Sequence, residues 1–282
     1  MWDQLQVKAA EWNILLEESR ETATSLLGFG RRNDRAVVLK LTKGAGDESH
    51  SGAVLRAFNG DGAVRVYESQ TGAVLMERLE PGEQLVSLVR RDASKSLRNE
   101  DDEATKILSQ VIGKLAKHAA PAECPTVADW GRGFDRYLQS GDPQVPRELA
   151  TEGQRLYQVL VASQRTTMLL HGDLQHYNVL FDRNRGWIAI DPKGVVGELE
   201  YEVGALLRNP VEQPELFTKR STIARRLEIL YNALNLDHSR ALQWSFAQAV
   251  LSAIWDVEDG NPVEPNHPAL QLAHVLRQML GT

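Results

Sequence analysis

Alternating hydrophobic and polar residues dominate the first third of the chain, a pattern typical of β-strands with one buried face. A short helix is predicted over residues 2–11 and a second helix over 47–58. Residues 17–24 are predicted to form a polar loop, and EPGEQL at 80–85 ends the pattern. The predicted strands cover residues 12–16, 25–30, 35–43, 63–68 and 73–79. Together they predict an antiparallel sheet accompanied by one helix.

From residue 86 onward, apolar residues recur three and four positions apart, which is the spacing of amphipathic helices. Extended character interrupts this pattern only in MLLHGD, NVLF and WIAID. The predicted helices cover residues 102–118, 126–140, 147–164, 200–208, 214–235, 238–258 and 267–280. We therefore expect an α+β fold, with a small antiparallel β lobe over 1–79 and a larger, mainly helical lobe over 80–282.

Composition and charge narrow the class of protein. The 282 residues carry a formal net charge of −6, and the basic residues do not cluster as nucleic-acid binding requires. Cys124 is the only cysteine, which excludes an intramolecular disulfide and a cysteine-rich zinc site. No run of about 18 apolar residues occurs, and the opening MWDQLQVKAAEW does not resemble a leader peptide. We expect a cytoplasmic protein that binds neither membrane nor nucleic acid; its oligomeric state stays open, and a monomer is compatible with the sequence.

The segment HGDLQHYNVLF at residues 171–181 carries more polar side chains than a turn requires. NVLF and WIAID are apolar runs separated by the polar segment DRNRG, which predicts a hairpin. If the runs pair antiparallel, Asn178 and Asp191 lie side by side, and their amide oxygen and carboxylate suit Mg²⁺. Asp173 precedes the hairpin and could face the same cleft as a carboxylate that orients a hydroxyl and accepts its proton.

Each of these features has an ordinary structural explanation when taken alone. An isolated His-Gly-Asp is often a turn, and Asp191-Pro192 is a common end to a strand. The functional interpretation depends on their combination in this order, with a β-rich segment upstream that contains a strand lysine.

His171-Gly172-Asp173, Asn178 and Asp191 resemble the catalytic loop and metal-binding aspartate of the protein-kinase-like fold, in the form used by aminoglycoside phosphotransferases. HGDLQHYNVLF, IDPKGVVGELEYEVGALLRNP and AVLMERLEPGEQL are similar to the branch containing streptomycin 6-kinase and hydroxyurea phosphotransferase. This similarity begins near residue 12 and is strongest over 169–210. The resemblance implies a two-lobed kinase fold in which Asp173 is the catalytic base and Asn178 and Asp191 hold Mg²⁺ between the ATP phosphates. It also implies that His171 braces the catalytic loop.

Phosphoryl transfer further requires a lysine near the phosphates, and the resemblance places it in the third strand. Lys40 in AVVLK occupies that place and is predicted to reach the α- and β-phosphates of ATP. The family pairs this lysine with a helix glutamate, for which Glu48 is the candidate, although spacing to Leu55 aligns Ser51 with that position.

The loop over the phosphates is predicted at residues 17–24, where Ser19, Thr22 and Thr24 supply hydroxyls but no glycine is present. Gly28 and Gly30 are assigned to the second strand, and the chain contains no Walker loop. The adenine is predicted to lie against MERLEPG, with backbone groups near Glu77 and Leu79 reading its edge.

A small-molecule acceptor is favoured over a protein, since many protein kinases have a lysine two positions after the catalytic aspartate and this chain has Gln175. Lys193 is either a phosphate or substrate contact or a solvated turn residue. Trp255 is either a pocket wall or a core residue. Acidic residues that could attract a cationic acceptor, or that belong simply to the surface, are Glu198, Glu200, Glu202, Asp256, Glu258 and Asp259.

The expected activity is therefore ATP- and Mg²⁺-dependent phosphorylation of a small-molecule hydroxyl, with streptomycin-like antibiotics and hydroxyurea as candidate acceptors. One alternative is a kinase of the same fold that acts on a metabolite unrelated to antibiotics. Another is a catalytically silent regulator that binds nucleotide.

Overall fold

A five-stranded antiparallel sheet forms the N-terminal part of the protein in the computed structural model, which describes residues 2–43, 50–90 and 97–281. The sheet consists of β1 (Leu15–Glu21), β2 (Ser25–Arg32), β3 (Arg35–Thr42), β4 (Val66–Gln70) and β5 (Ala73–Glu77). Its spatial order is β1-β2-β3-β5-β4. Helix α1 (Trp2–Glu11) precedes the sheet, and α2 (Ser51–Phe58) lies between β3 and β4. The five predicted strands and the accompanying helix are therefore present; residues 47–49 of the predicted helix lie outside the described residues.

The two faces of this sheet have different roles. Val37, Leu39 and Leu41 of β3 are buried in a small hydrophobic cluster with Leu5 of α1. Because side chains alternate along a strand, Lys40 points to the opposite face, where it is 7% exposed and lines a cleft. The same alternation of side chains therefore buries Val37, Leu39 and Leu41 on one face of the sheet and places Lys40 on the face that lines the cleft.

The first strand differs from the sequence prediction. Residues 12–16 were expected to be extended and 17–24 to be a loop, but β1 covers Leu15–Glu21 and the turn is confined to residues 22–24. Strand β1 is at the edge of the sheet, and almost all of its side chains are exposed. With no buried face, a strand has no hydrophobic alternation to reveal it in sequence.

Gly28 and Gly30 lie inside β2, as predicted, so they do not form a phosphate loop. A Cβ atom at Gly30 would lie 2.2 Å from the carbonyl oxygen of Leu15, and one at Gly28 would lie 2.8 Å from Leu16 Cδ2. The spacing of these glycines therefore reflects the close approach of β1 to β2.

We expect Gly30→Ala to destabilise the protein by about 1–3 kcal/mol, because the backbone of β1 must move to admit the methyl group. The matched control is Gly113→Ala in the helix Leu97–Leu115, where the added Cβ would lie 3.6 Å from Leu234 Cδ2. That control should be neutral or stabilising by up to about 1 kcal/mol. Urea denaturation of both variants measures the difference, and equal stability would contradict the packing explanation.

After the five-stranded sheet, the chain enters a second sheet, which has three strands. Strand β6 (Pro81–Gln84) pairs with β8 (Val179–Asp182), which pairs in turn with β9 (Gly186–Ala189). Residues 80–85 thus include a short strand where the sequence predicted only an interruption. Strands β7 (Met168–Leu170) and β10 (Val195–Gly197) form a separate antiparallel pair. All of these strands surround the predicted catalytic segment.

Helices make up most of the remaining chain, largely where apolar periodicity predicts them. Two predicted helices are divided. In 200–208 the 3-10 turn Leu199–Glu202 precedes a short helix, and in 214–235 a break separates Pro214–Phe217 from Arg220–Leu234. The helices are α3 (Val86–Arg90), α4 (Leu97–Leu115), α5 (Val127–Ser140), α6 (Arg147–Ala162), α7 (Val203–Leu207), α8 (Pro214–Phe217), α9 (Arg220–Leu234), α10 (His238–Glu258) and α11 (Pro268–Leu280). Among the described residues, no helix combines the length and apolar character needed to cross a bilayer.

A single large hydrophobic cluster extends from Val54 in α2 to Leu276 in α11. It includes Leu79 and Leu85 on either side of the predicted lobe boundary. The division into lobes at residues 1–79 and 80–282 therefore stays a prediction about chain organisation, while the β-rich and helical parts share one core.

Candidate active site

The loop at residues 171–178 connects β7 to β8, and a glycine allows its sharp entry. Gly172 has φ +81°, and a Cβ atom there would lie 2.7 Å from Trp130 Cη2. A larger residue would be strained both by the backbone conformation and by the tryptophan. The glycine of the His-Gly-Asp motif therefore permits the loop to pass close to Trp130 of α5.

His171 braces this loop, as the family resemblance implies. Its side chain is buried; Nε2 lies 2.9 Å from the carbonyl oxygen of Ile190, and Nδ1 accepts the Asp173 N–H at 3.3 Å. Burial lowers the pKa of His171 from 6.5 to about 4, so the ring is neutral at neutral pH. In this form Nε2–H donates and Nδ1 accepts, which ties the loop to the end of β9.

The lowered pKa of His171 predicts acid sensitivity. The unfolded chain takes up a proton below its ordinary pKa of 6.5, whereas the folded state resists protonation until about 4, so stability falls as pH drops through this window. The contribution is about 2 kcal/mol between about pH 7.5 and about pH 5. We expect His171→Gln to show a smaller loss of unfolding free energy over this range than His274→Gln, which removes an exposed histidine. Equal losses in the two variants would contradict the prediction.

Glu202, at the end of the 3-10 turn Leu199–Glu202, supports the loop from below. Its carboxylate is 4% exposed and accepts the Gly172 N–H at 3.1 Å and 3.3 Å. Burial raises the pKa of Glu202 to about 7, while backbone N–H groups of the loop favour its charged form. Glu202 therefore positions the loop from the protein interior and does not face the acceptor.

Asp173 projects from the loop with a side chain that is 30% exposed. Asn178 Nδ2 donates to Asp173 Oδ2 at 3.0 Å and to the Asp173 carbonyl at 2.8 Å. Burial raises the pKa of Asp173, and the nearby charges of Arg208 and Lys193 oppose that increase. A carboxylate held at one oxygen, with the other directed away from Asn178, is suited to accepting a proton from a bound hydroxyl.

The β8–β9 hairpin brings Asn178 and Asp191 together, as predicted. Val179 pairs with Ala189, and the N–H of Ile190 donates to the carbonyl of Asn178 at 2.9 Å. Asp191 follows directly, with φ +60°, and its carboxylate forms an ion pair with Lys40 across the cleft. The β8–β9 hairpin thus places Asp191 opposite Lys40 of β3, although the two residues are far apart in sequence.

Asn178 and Asp191 fit a magnesium ion by the chemistry of their donors. Both offer hard oxygen ligands, since the amide nitrogen of Asn178 is already bonded to Asp173 and its oxygen is the remaining donor. Within residues 2–43, 50–90 and 97–281, no group of three or more His, Cys, Asp or Glu side chains could hold a metal. The amide oxygen of Asn178 and the carboxylate of Asp191 suit an ion that takes its other ligands from phosphate and water.

A cleft of about 490 Å³ extends from Lys40 and Asp191 beneath the five-stranded sheet. Its mouth carries polar side chains from β1 and the following turn. Its apolar walls come from both parts of the chain: Val38, Val64, Met76, Leu79, Leu180 and Ile190. Apolar walls combined with a lysine and a carboxylate are a lining that suits a purine base and its phosphates.

The structure brings only one of the three predicted loop hydroxyls to this cleft. Thr22 lines it, but the Thr22 hydroxyl is bonded to Ser25 within the turn. Ser19 pairs with Gly28 on the opposite face of the sheet, and Thr24 is not among the cleft residues. The assignments of Ser19 and Thr24 to the phosphates therefore stay predictions that the cleft lining does not support, because residues 17–21 are a strand and only alternate side chains face the cleft.

Arg20 lines the cleft instead and was missed by sequence reasoning. Its guanidinium carbon lies 5.7 Å from the ring centre of Phe29, and that of Arg78 lies 5.2 Å from the same ring. Arg20 also pairs with Glu18 at 3.6 Å. The Arg20 guanidinium thus supplies a positive charge to the cleft. The turn at residues 22–24, which follows β1, contains no glycine.

Glu77 and Leu79 both line the cleft, with different consequences. The Glu77 carboxylate is bonded to Arg185 and to the Arg65 N–H, and the Glu77 N–H donates to the Arg65 carbonyl. The backbone of Leu79 is therefore the better candidate for reading a purine edge. Ser51, at the start of α2, also lines the cleft, while Glu48 lies outside the described residues.

On the other side of Asp173, two tryptophans form a wall. Trp130 and Trp255 are in edge contact, with ring centres 5.7 Å apart. Beside Trp255, Asp256 lies 3.6 Å from His267, and burial raises the pKa of Asp256. The half-buried Lys193 lies near enough to act electrostatically on Asp173.

The acidic residues of GELEYE, for which the sequence left open a cation-attracting role or an ordinary surface position, are instead engaged in contacts within the protein. Glu198 is 3% exposed and accepts hydrogen bonds from Arg240 and Trp244. Glu200 accepts the Asp237 N–H at 3.1 Å. Together with Glu202, these carboxylates connect helices and loops of the interior. A carboxylate within the apolar run LEYEVGALL was the available sequence signal for burial.

Comparison with known proteins shows similarity to kinases of small molecules. Residues 16–260 match the sequence profile of a family described as aminoglycoside/hydroxyurea antibiotic resistance kinase. The streptomycin 3''-kinase of Klebsiella pneumoniae is 29% identical over 255 residues, which cover 88% of this chain and 91% of that protein. The hydroxyurea phosphotransferase of Kitasatospora aureofaciens is 30% identical over 246 residues, which cover 83% of this chain and 66% of that protein.

The fold also matches a solved structure. A thermostable mutant of aminoglycoside phosphotransferase APH(4)-Ia, in a ternary complex with ADP and hygromycin B, superposes with a TM-score of 0.69. The match covers 98% of this chain and 99% of that chain at 14% identity. At this level of identity the likeness establishes the fold alone, and the predicted α+β, protein-kinase-like architecture is confirmed.

Proposed function

Because the chain belongs to the family of aminoglycoside/hydroxyurea antibiotic resistance kinases, we propose that it transfers the γ-phosphoryl group of ATP to a hydroxyl group of a small molecule. The observation that carries this proposal is the convergence of Lys40, Asp173, Asn178 and Asp191. Lys40 pairs with Asp191, Asn178 bonds to Asp173, and the hairpin joins the two pairs. These are the groups that phosphoryl transfer requires.

The adenine ring is assigned to the apolar end of the cleft, between Val38 and Leu180. The backbone of Leu79 is the candidate for reading the edge of the purine. Arg20 and Thr22 also line the cleft and offer polar groups from β1 and the following turn to the phosphates. The 490 Å³ of the cleft is in the range of small-molecule sites.

Magnesium would be held by the amide oxygen of Asn178 and the carboxylate of Asp191, and it would neutralise negative charge on the phosphate oxygens. Lys40 is assigned to the α- and β-phosphates, because its ammonium group faces the cleft beside Asp191. Positioning and charge neutralisation by these residues lower the barrier to transfer.

Asp173 is assigned as the residue that orients the acceptor hydroxyl and takes its proton. Its Oδ2 atom accepts from Asn178, and this bond restricts rotation of the carboxylate. His171 accepts the backbone N–H of Asp173 itself, and Glu202 accepts that of the preceding Gly172. An orienting carboxylate fixed in this way supports attack of the hydroxyl oxygen on the γ-phosphorus.

The acceptor is placed between Asp173 and the wall formed by Trp130 and Trp255. Asp256, whose side chain is 36% exposed, offers a carboxylate to a cationic group there. Streptomycin-like antibiotics, which carry cations, and hydroxyurea are the candidate acceptors because relatives act on them by name. A metabolite acceptor unrelated to antibiotics is the alternative within the same chemistry.

The experiment that tests this function is a screen of acceptors with release of ADP as the readout. Streptomycin, hydroxyurea, hygromycin B, choline and a set of simple sugars are each incubated with the enzyme, ATP and Mg²⁺. We expect ADP release above the acceptor-free rate with at least one antibiotic or hydroxyurea. Release only with choline or a sugar would favour the metabolite kinase. Nucleotide binding without acceptor-dependent ADP release would favour the silent regulator and contradict the proposal.

A further inference from the structure

We propose that Arg208 is a catalytic residue of this enzyme, which contacts the phosphoryl group as it passes to the acceptor hydroxyl held by Asp173. This inference rests on the proposed phosphotransferase function and adds to it a cation on the acceptor side of the reaction. Arg208 follows α7 in LLRNP and was not selected from the sequence.

The position of Arg208 relative to Asp173 is the first observation. Its Nη2 atom lies 3.8 Å from Asp173 Oδ1, the carboxylate oxygen that Asn178 does not contact in this structure. This distance is too long for a hydrogen bond between the two groups. The guanidinium therefore flanks the space in which a hydroxyl bound to Oδ1 would meet a phosphoryl group.

The second observation is that buried polar groups fix this arginine in place. Gln248 is 2% exposed; its Oε1 accepts from Arg208 Nη1 at 3.2 Å, and its Nε2 donates to the carbonyl of Tyr201. A Cβ atom at Gly204 would lie 2.3 Å from Gln248 Oε1, so the glycine admits this glutamine to its position. Gln248 thus holds Nη1 of the guanidinium, while Nη2 lies on the side of Asp173.

The backbone around Arg208 is fixed by a buried ion pair. Arg226 and Asp101 are both fully buried and bonded to each other, and Arg226 Nη1 donates to the carbonyls of Leu206 and Asn209 at 3.3 Å and 2.8 Å. Burying an ion pair is costly unless its geometry is well satisfied. Here the pair immobilises the residues on both sides of Arg208.

The third observation concerns the catalytic loop itself, which has no cation of its own. Gln175 occupies the position two residues after Asp173, and its Oε1 accepts the Tyr177 N–H at 2.8 Å. Gln175 is 8% exposed and is occupied within the loop.

In the reaction, the acceptor oxygen forms a bond to the γ-phosphorus while the bond from that phosphorus to the β,γ-bridging oxygen breaks. The hydroxyl proton passes to Asp173, and the bridging oxygen leaves with the bonding electrons as part of ADP. Arg208 would donate hydrogen bonds to an oxygen of the transferring group, whose charge it offsets without titrating. Its fork geometry suits this role better than an ammonium group.

The test compares Arg208→Ala, Arg208→Lys and the wild type with an acceptor identified in the screen. We expect Arg208→Ala to lower kcat on the order of 10²-fold with an unchanged KM for ATP, since the lost contact forms in the transition state. Arg208→Lys should lose roughly tenfold, because it keeps the charge without the fork. Millimolar guanidinium should restore part of the turnover of Arg208→Ala and should not accelerate the wild type.

The matched control is Arg240→Ala, which removes an arginine of similar exposure, 12% against 14%, whose partner is Glu198. It should retain the wild-type kcat below its melting temperature. Wild-type kcat in Arg208→Ala, an equal loss in Arg240→Ala, or failure of guanidinium to restore a folded Arg208→Ala would each overturn the inference. A wild type that phosphorylates no acceptor would instead contradict the proposed function itself.

Discussion

Asp173→Asn is expected to lower kcat by roughly 10²-fold or more, because an amide of the same shape orients a hydroxyl but does not take its proton. The hydrogen-bonding frame of His171 and Asn178 holds the backbone of the loop, so the fold should persist. Affinity for ADP, measured by isothermal titration calorimetry, should stay close to that of the wild type.

The control for this prediction is Asp135→Asn, the same substitution at an exposed position of α5 that bonds only to Gln154 among the hydrogen bonds observed. It should leave kcat unchanged. An Asp173→Asn enzyme with normal turnover would remove Asp173 from its assigned role, whatever the acceptor.

Asp191→Asn is expected to cause a comparable loss and, in addition, to raise the Mg²⁺ concentration required for half-maximal activity. The substitution removes one carboxylate from the proposed metal site and the ion pair with Lys40. Asparagine tolerates the left-handed conformation that this position requires, φ +60°, so the backbone should be retained. Steady-state rates over a Mg²⁺ titration measure both effects.

Asp34→Asn is a matched control for this substitution, since Asp34 has φ +61° in the exposed turn between β2 and β3. It tests the effect of the same chemical change at a left-handed position without a metal. If Asp191→Asn had the Mg²⁺ requirement of Asp34→Asn and the wild type, Asp191 would not be a metal ligand.

Much of the candidate site could be predicted because its spacing is local. Asn178 and Asp191 are brought together by a hairpin whose two strands and turn can be recognised within fourteen residues of sequence. The cleft-facing position of Lys40 follows from alternation along β3, in which Val37, Leu39 and Leu41 are buried on the other face. The family predicted from these motifs is confirmed by the match over residues 16–260.

The rest depends on contacts that no local pattern encodes. The extended state of β1 was missed because an exposed edge strand has no apolar alternation, and most of the predicted loop that contains Ser19 belongs to this strand. For Glu202 the sequence left open a cation-attracting role or an ordinary surface position, whereas its side chain is buried against the loop and accepts the Gly172 N–H. Arg208 depends on Gln248, forty residues later in the chain, which no spacing rule connects to it.

The most direct test of the proposed phosphotransferase is mass spectrometry of the acceptor itself after incubation with the wild type or Asp173→Asn, ATP and Mg²⁺. We predict that the wild type converts streptomycin, hydroxyurea or hygromycin B into a product heavier by one phosphoryl group, and that Asp173→Asn yields little of it over the same time. Equal product from both enzymes would contradict the assignment of Asp173. No phosphorylated acceptor from the wild type, under conditions where it binds ADP, would contradict the proposed reaction.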